Sequence, residues 1–204
     1  MAKLSRSRPL ILKTILYQLV MSFFGIMMFT ATSRNAALLA VGQILVIAFY
    51  LYIFFSQSMQ AGSKECEYGV GHGVGTSPWF GALPIFLGFV PMIVLSLWGA
   101  LQPPFTPDGG RSVSNVPYLL NNLLQQGVFR GVYQWLRPIA EGADQSAAAQ
   151  SINAQAALFP YFFLPGWIAG SLGYAVGWFR FRGDEKEKAA GEKEANEAGD
   201  EEEN

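Results

Sequence analysis

Four long apolar stretches alternate with polar ones along this chain. Residues 10–31, 36–56, 79–101 and 156–179 are each apolar over 21 to 24 positions, and Lys13 is the one charge within them. At about 1.5 Å of rise per residue, some 20 residues of helix cross the roughly 30 Å hydrocarbon core of a bilayer. The pattern predicts an all-α integral membrane protein with four transmembrane helices. Lys13 falls near the start of the first span, where its stem can snorkel to the headgroups. A cleaved signal peptide also begins with basic residues, but its apolar core runs only about 7–15 positions. The longer run here predicts a retained span.

Two spans carry small-residue stripes. In 156–179, Gly166, Gly170, Gly173 and Gly177 recur at spacings of four, three and four, which places them on one helix face. In 79–101, Gly81, Pro84, Gly88 and Pro91 recur at three, four and three. Lipid tails are as apolar as leucine, so close van der Waals approach drives much of helix association in a bilayer. These eight residues are therefore the candidate helix-packing residues. They predict close contact between spans three and four, or between copies of the protein. Gln18 and Gln43 are the polar residues deepest in the first two spans. In antiparallel spans they fall at different depths, so no pairing between them is expected.

The connections differ in kind. TSRN, 32–35, turns the chain. Residues 57–78 are polar and glycine-rich and read as a loop. Residues 116–140 place Leu120, Leu124, Val128, Val132 and Trp135 at helical spacing, interrupted by Asn121, Asn122, Gln125, Gln126, Arg130 and Arg137. An arginine at mid-membrane costs about 2.5–3.5 kcal/mol even on insertion scales. An amphipathic helical segment lying on the membrane surface is expected instead, with Gly127 and Gly131 as breaks.

Composition sharpens this picture at the C-terminus. Charged residues are 14% of the chain, against about 25% in globular domains. Residues 183–204 hold ten acids and three bases, a net −7, whereas 1–182 hold eleven bases and five acids, a net +6. The expected division is a four-span membrane domain, 1–182, and a disordered acidic tail, 183–204, without a large apolar residue to bury. Plain solvation accounts for such a tail. Lys3, Arg6, Arg8 and Lys13 flank the first span, Arg180 and Arg182 the last, and Lys64 sits in the second connection. Bases near span ends in short segments set orientation. Both termini are therefore expected in the cytoplasm, with 102–155 outside.

Candidate chemistry is sparse. Gly69, Gly71, Gly73 and Gly75 alternate with Val70, His72 and Val74, but a phosphate loop needs a strand before it and a helix after it. Cys66 and His72, with Glu65 and Glu67, are too few good ligands for a zinc site. A membrane enzyme would need His, Asp or Glu gathered on one side. Here Glu65, Glu67 and His72 fall on one side and Asp108, Glu141 and Asp144 on the other. No catalytic residue, cofactor or metal site is expected, and no nucleic-acid partner. The bilayer is the expected partner, with a second copy or another membrane protein beside it.

The runs YQLVMSFFGIMMF (17–29), FYLYIFF (49–55) and AGSKE (61–65) leading to WFGALPIFLG (79–88) resemble a group of small bacterial polytopic membrane proteins without assigned function. The likeness covers about the first half of the chain and consists of Gly, Phe and Leu patterns. It implies a bacterial inner or plasma membrane and brings no catalytic residue. The functional expectation is a non-catalytic accessory, assembly or structural subunit. The alternative is a small transporter or channel component for a neutral or apolar substrate, since Gly/Pro-kinked spans can line a cavity.

Overall fold

A computed structural model describes residues 2–100, 127–129, 132 and 161–202. Four long helices dominate: α1, Ala2–Thr32; α2, Ala36–Gly71; α3, Ala82–Ala100; and α4, Leu164–Glu202. The described residues contain no strand. Arg8–Thr32 and Ala36–Gly71 are long and apolar enough to cross a membrane, while the apolar part of α3, Ala82–Leu95, is shorter.

Local signals account for the helix ends. At the end of α1 the Ser33 amide donates to Phe29 O (2.9 Å) and the Asn35 amide to Thr32 O (3.1 Å), satisfying carbonyls that the last turn leaves open. Asn35, in extended conformation, caps α2 by accepting from the amides of Ala37 (2.9 Å) and Leu38 (3.2 Å). α2 stops at His72, and Gly73 follows with φ +61°, a left-handed conformation that suits glycine. Pro165, second in α4, sits in the first turn, where a missing N–H costs little.

α1 and α2 form an antiparallel hairpin. Thr32 lies beside Gly42, and the Phe24 and Phe49 rings meet edge to face at 5.8 Å. α3 runs antiparallel to α4: Gly81 faces Tyr174, Ile85 faces Gly170, and Phe89 faces Gly166. α2 and α4 run parallel, since Gly166, Gly173 and Gly177 meet Tyr50, Phe55 and Met59 in that order. Tyr50, Phe54, Ile85, Phe89, Met21 and Val46 form the centre of the core.

Two helices extend further than their polarity suggests. The 57–78 connection is helical through Gly71, so α2 continues beyond the expected end at 56. The cause is a seam rather than a hydrophobic run. Buried positions Tyr50, Phe54, Ser58, Gly62, Cys66 and Gly69 follow one another at spacings of four, four, four, four and three; α4 packs on this seam at Tyr50, Ser58 and Gly62, and Val74 and Thr76 cover Gly69. Likewise α4 continues as helix to Glu202, through the acidic stretch expected to be disordered. Alanine, glutamate and lysine there are strong helix formers. Side chains from Arg182 to Gly191 are exposed apart from a half-buried Glu185.

The expected surface segment 116–140 lies outside the described residues except at 127–129 and 132. Those positions do not sit on a surface. Val128 is fully buried, Phe129 is buried, and Gly127 rests on the backbone of Ser22 in the middle of α1. At least this part of the segment enters the bundle.

Candidate functional site

The α4 glycines form a seam, and their main partner is α2 rather than α3. A Cβ added at Gly173 would meet the Phe55 carbonyl, and one at Gly177 the Met59 carbonyl. In both places main chain lies against main chain. Ser63 Oγ donates to Gly177 O (3.0 Å) across the same contact. Gly166 leaves room for the Tyr50 hydroxyl and the Phe89 ring. At Gly170 the neighbours are side chains: Ile85 Cγ2 at 3.1 Å and Ser58 Oγ at 3.2 Å from the added Cβ.

The α3 stripe does not form one matching groove. Gly81 accommodates the Tyr174 ring of α4, whereas Gly88 accommodates Thr14 and the Ile11 carbonyl of α1. Pro84 is buried and Pro91 is exposed. Two further close approaches were not anticipated. Gly62 of α2 rests on the Tyr174 backbone, and Gly25 of α1 meets the Gly127 carbonyl.

Polar groups are concentrated inside. Thr14, Gln18, Ser22, Gln43, Ser58 and Ser171 are all buried. Gln18 Oε1 accepts from the Tyr50 hydroxyl (2.9 Å), joining α1 to α2. Gln43 Nε2 donates to the Val128 carbonyl, fastening residues 127–129 to α2. Trp167 Nε1 donates to Ala82 O (3.0 Å), and Trp178 Nε1 to Thr76 Oγ1 (3.0 Å). The two glutamines thus have separate partners.

Among the residues weighed for metal or catalytic chemistry, Cys66 is buried as a free thiol. Burial pushes its pKa up; the Arg182 guanidinium draws it down and the Glu185 carboxylate raises it further. His72 is exposed, stacked on Tyr68 at 3.8 Å. Among the described residues no three His, Cys, Asp or Glu side chains come together. Asp108, Glu141 and Asp144 lie outside the described residues.

A cavity of about 360 Å³ opens where α1 and α3 begin. Leu10 and Lys13 of α1, Lys64 and Glu65 of α2, Pro84 of α3 and Tyr174 of α4 line it, among others. Volumes of about 300–1,000 Å³ are usual for small-ligand pockets. The Tyr174 hydroxyl is buried without a hydrogen-bond partner. A second, shallower cavity of about 430 Å³ shares Gln60 and Lys64 with the first and adds Arg180 and Asp184.

No known protein family, curated protein or solved structure matches this chain.

Proposed function

We propose that the chain is a multi-pass integral protein of a bacterial cell membrane, with four spans, both termini cytoplasmic, and a non-catalytic role as an accessory, assembly or structural subunit. One observation carries the membrane reading: the outer face of the bundle is apolar along whole helix stripes, while several polar side chains turn inward beside the apolar core. Leu12, Leu16, Val20, Phe23 and Met27 form an exposed apolar stripe along α1. On α4, Ile168, Leu172, Val176 and Phe179 are exposed opposite the glycine face. Meanwhile two glutamines and four hydroxyl side chains are buried. In water, apolar surface on this scale marks an interaction site or an aggregation hazard. In lipid it is the ordinary outer face, and polar groups turn inward to find partners.

The non-catalytic reading draws on the seams, where backbone contacts fill the space a translocation path would need. A transporter or channel component for a neutral or apolar substrate is the competing role. Orientation is tested by impermeant thiol labelling in intact cells, with Cys66 replaced. A cysteine at Ser112 is expected to react and one at Ser7 to be spared; the opposite pattern overturns the topology. The role is tested by purification from native membranes in mild detergent. A membrane partner, or a second copy, at fixed stoichiometry is expected. A solitary monomer that carries solute across reconstituted vesicles refutes the subunit reading in favour of the transporter.

A further inference from the structure

The cavity at the α1 and α3 starts joins three features that the packing of the bundle leaves unused. Lys13 and Lys64 bring two ammonium groups to its wall from different helices, and both are exposed. Tyr174, 3% exposed, also lines it, and its buried hydroxyl has no partner. Buried polar groups are nearly always hydrogen-bonded, so an orphaned donor beside an open cavity points to an absent acceptor. Leu10, Ala61 and Pro84 supply an apolar wall. Basic groups, an unsatisfied donor and an apolar wall together suit an amphiphile whose polar end carries negative charge.

We propose that this cavity binds the headgroup of an anionic phospholipid, with the phosphate between Lys13 and Lys64 and a headgroup oxygen accepting from the Tyr174 hydroxyl. The assignment rests on the membrane reading above, which puts the cavity at headgroup depth on the side of the termini. Glu65 on the same wall narrows the ligand class. Its carboxylate repels a second negative charge, so a singly charged phosphodiester is favoured over a phosphate dianion. It can also accept from a headgroup hydroxyl. Size points the same way: a lone phosphate fills only a small part of about 360 Å³. Arg180, on the adjoining cavity that shares Lys64, adds a third cation at the same end of the bundle.

The test uses the full-length protein in mild detergent, after partition into a detergent phase has been measured. Native mass spectrometry is then run with phosphatidylglycerol, phosphatidylcholine or inorganic phosphate added. One phosphatidylglycerol is expected to remain bound per chain, with phosphatidylcholine held at least about tenfold more weakly. Lys13→Gln with Lys64→Gln should weaken phosphatidylglycerol about tenfold or more. Tyr174→Phe, which leaves the ring packing against Gly81 in place, should weaken it by about tenfold, as for one hydrogen bond to a charged group. Arg34→Gln, in the turn at the other end of α1, should change nothing. Equal retention of both lipids, or affinity indifferent to the lysine and tyrosine changes, overturns the site. Displacement of the lipid by an equal concentration of inorganic phosphate overturns the lipid as occupant. Absence of any adduct on detergent-phase protein overturns the site and leaves the membrane reading standing; recovery of the protein in the aqueous phase overturns both.

Discussion

Replacing Gly173 with alanine adds one carbon to a part of the α2–α4 seam where main chain already lies against main chain. The new Cβ would fall on the Phe55 carbonyl, well inside any real van der Waals separation. Main chain cannot swing aside as a side chain can, so the helices must part. Overpacking of this kind costs about 1–3 kcal/mol. Alanine recovers up to about 1 kcal/mol of helix propensity relative to glycine. With backbone on both sides the steric cost lies at the upper end of that range, about 2–3 kcal/mol, so a net loss of about 1–2 kcal/mol is expected for Gly173→Ala. Gly177→Ala meets the Met59 carbonyl in the same way and should behave alike. Gly170 is the contrasting case, because its neighbours are Ile85 and Ser58 side chains at 3.1 and 3.2 Å. These can give by a few tenths of an ångström, so Gly170→Ala should lie within about 0.5 kcal/mol of wild type, the propensity gain offsetting a small steric cost. Leu172→Phe, on an exposed position, should also be nearly neutral. The assay is reversible unfolding in mixed micelles, with oligomeric state followed by light scattering. If Gly173→Ala is as stable as wild type, α2 and α4 do not meet backbone to backbone. Gly173→Ala and Gly170→Ala destabilised alike would refute the distinction between backbone and side-chain neighbours.

Three other perturbations probe different parts of the chain. Gln43→Leu removes the donor to the buried Val128 carbonyl and with it a side-chain link between α2 and residues 127–129, which should cost about 0.5–1.5 kcal/mol; unchanged unfolding would place residues 127–129 elsewhere. Removing 184–204 should leave insertion and thermal stability nearly unchanged, because side chains there are exposed through Gly191 apart from Glu185; a large loss of folded protein in detergent would show that the tail packs on the bundle. Burial raises the Cys66 thiol pKa, so the folded state holds that proton more tightly than the unfolded one. The stabilisation is complete below the ordinary thiol range and is lost as pH rises through the folded value. Unfolding measured from neutral to alkaline pH should lose stability in that direction, and Cys66→Ala should flatten that part of the profile; a profile unaltered by the substitution would refute the assignment.

The start of α2 and the small-residue face of α4 were legible because each is written within one segment, whereas α1 begins at Ala2, ahead of the apolar run from 10, and α4 at Leu164 rather than 156. An uncharged run gives length, and glycine spacing gives a face. The continuation of α2 through Gly71 was not legible by the same means. Residues 57–71 are polar on average, and the helix there depends on burial at Ser58, Gly62, Cys66 and Gly69, with Ser58 and Gly62 lying under α4 and Gly69 under Val74 and Thr76. These residues are small rather than apolar, so hydropathy does not register them; their spacing of four, four and three was the available signal. The partner of the α4 stripe was equally hidden. A glycine face permits close approach by any helix, and only the complementary small positions on α2 show which one takes it.

The interior contact at residues 127–129 shows why a polar segment can enter such a bundle. Asn121, Asn122, Gln125 and Arg130 make 116–140 too polar to be read as a span. Yet what reaches the core is Gly127, Val128 and Phe129: a glycine flat enough to lie on Ser22, a buried valine, and a ring stacked on Phe162 at 4.9 Å. The Val128 carbonyl is satisfied by Gln43, one of the two glutamines that looked isolated within their spans. The other, Gln18, accepts from Tyr50. In an apolar medium each amide must find a partner inside the protein, so a lone glutamine in an apolar run carries information about a segment remote in sequence. Gln43 and Val128 stand 85 positions apart, and no periodicity within either segment joins them. The cavity beside Tyr174 has the same character. Lys13, Lys64 and Tyr174 come from three helices, each with an ordinary local explanation, and they become a candidate site only when the parallel α2–α4 seam and the α1–α2 hairpin bring the three helices to one end of the bundle.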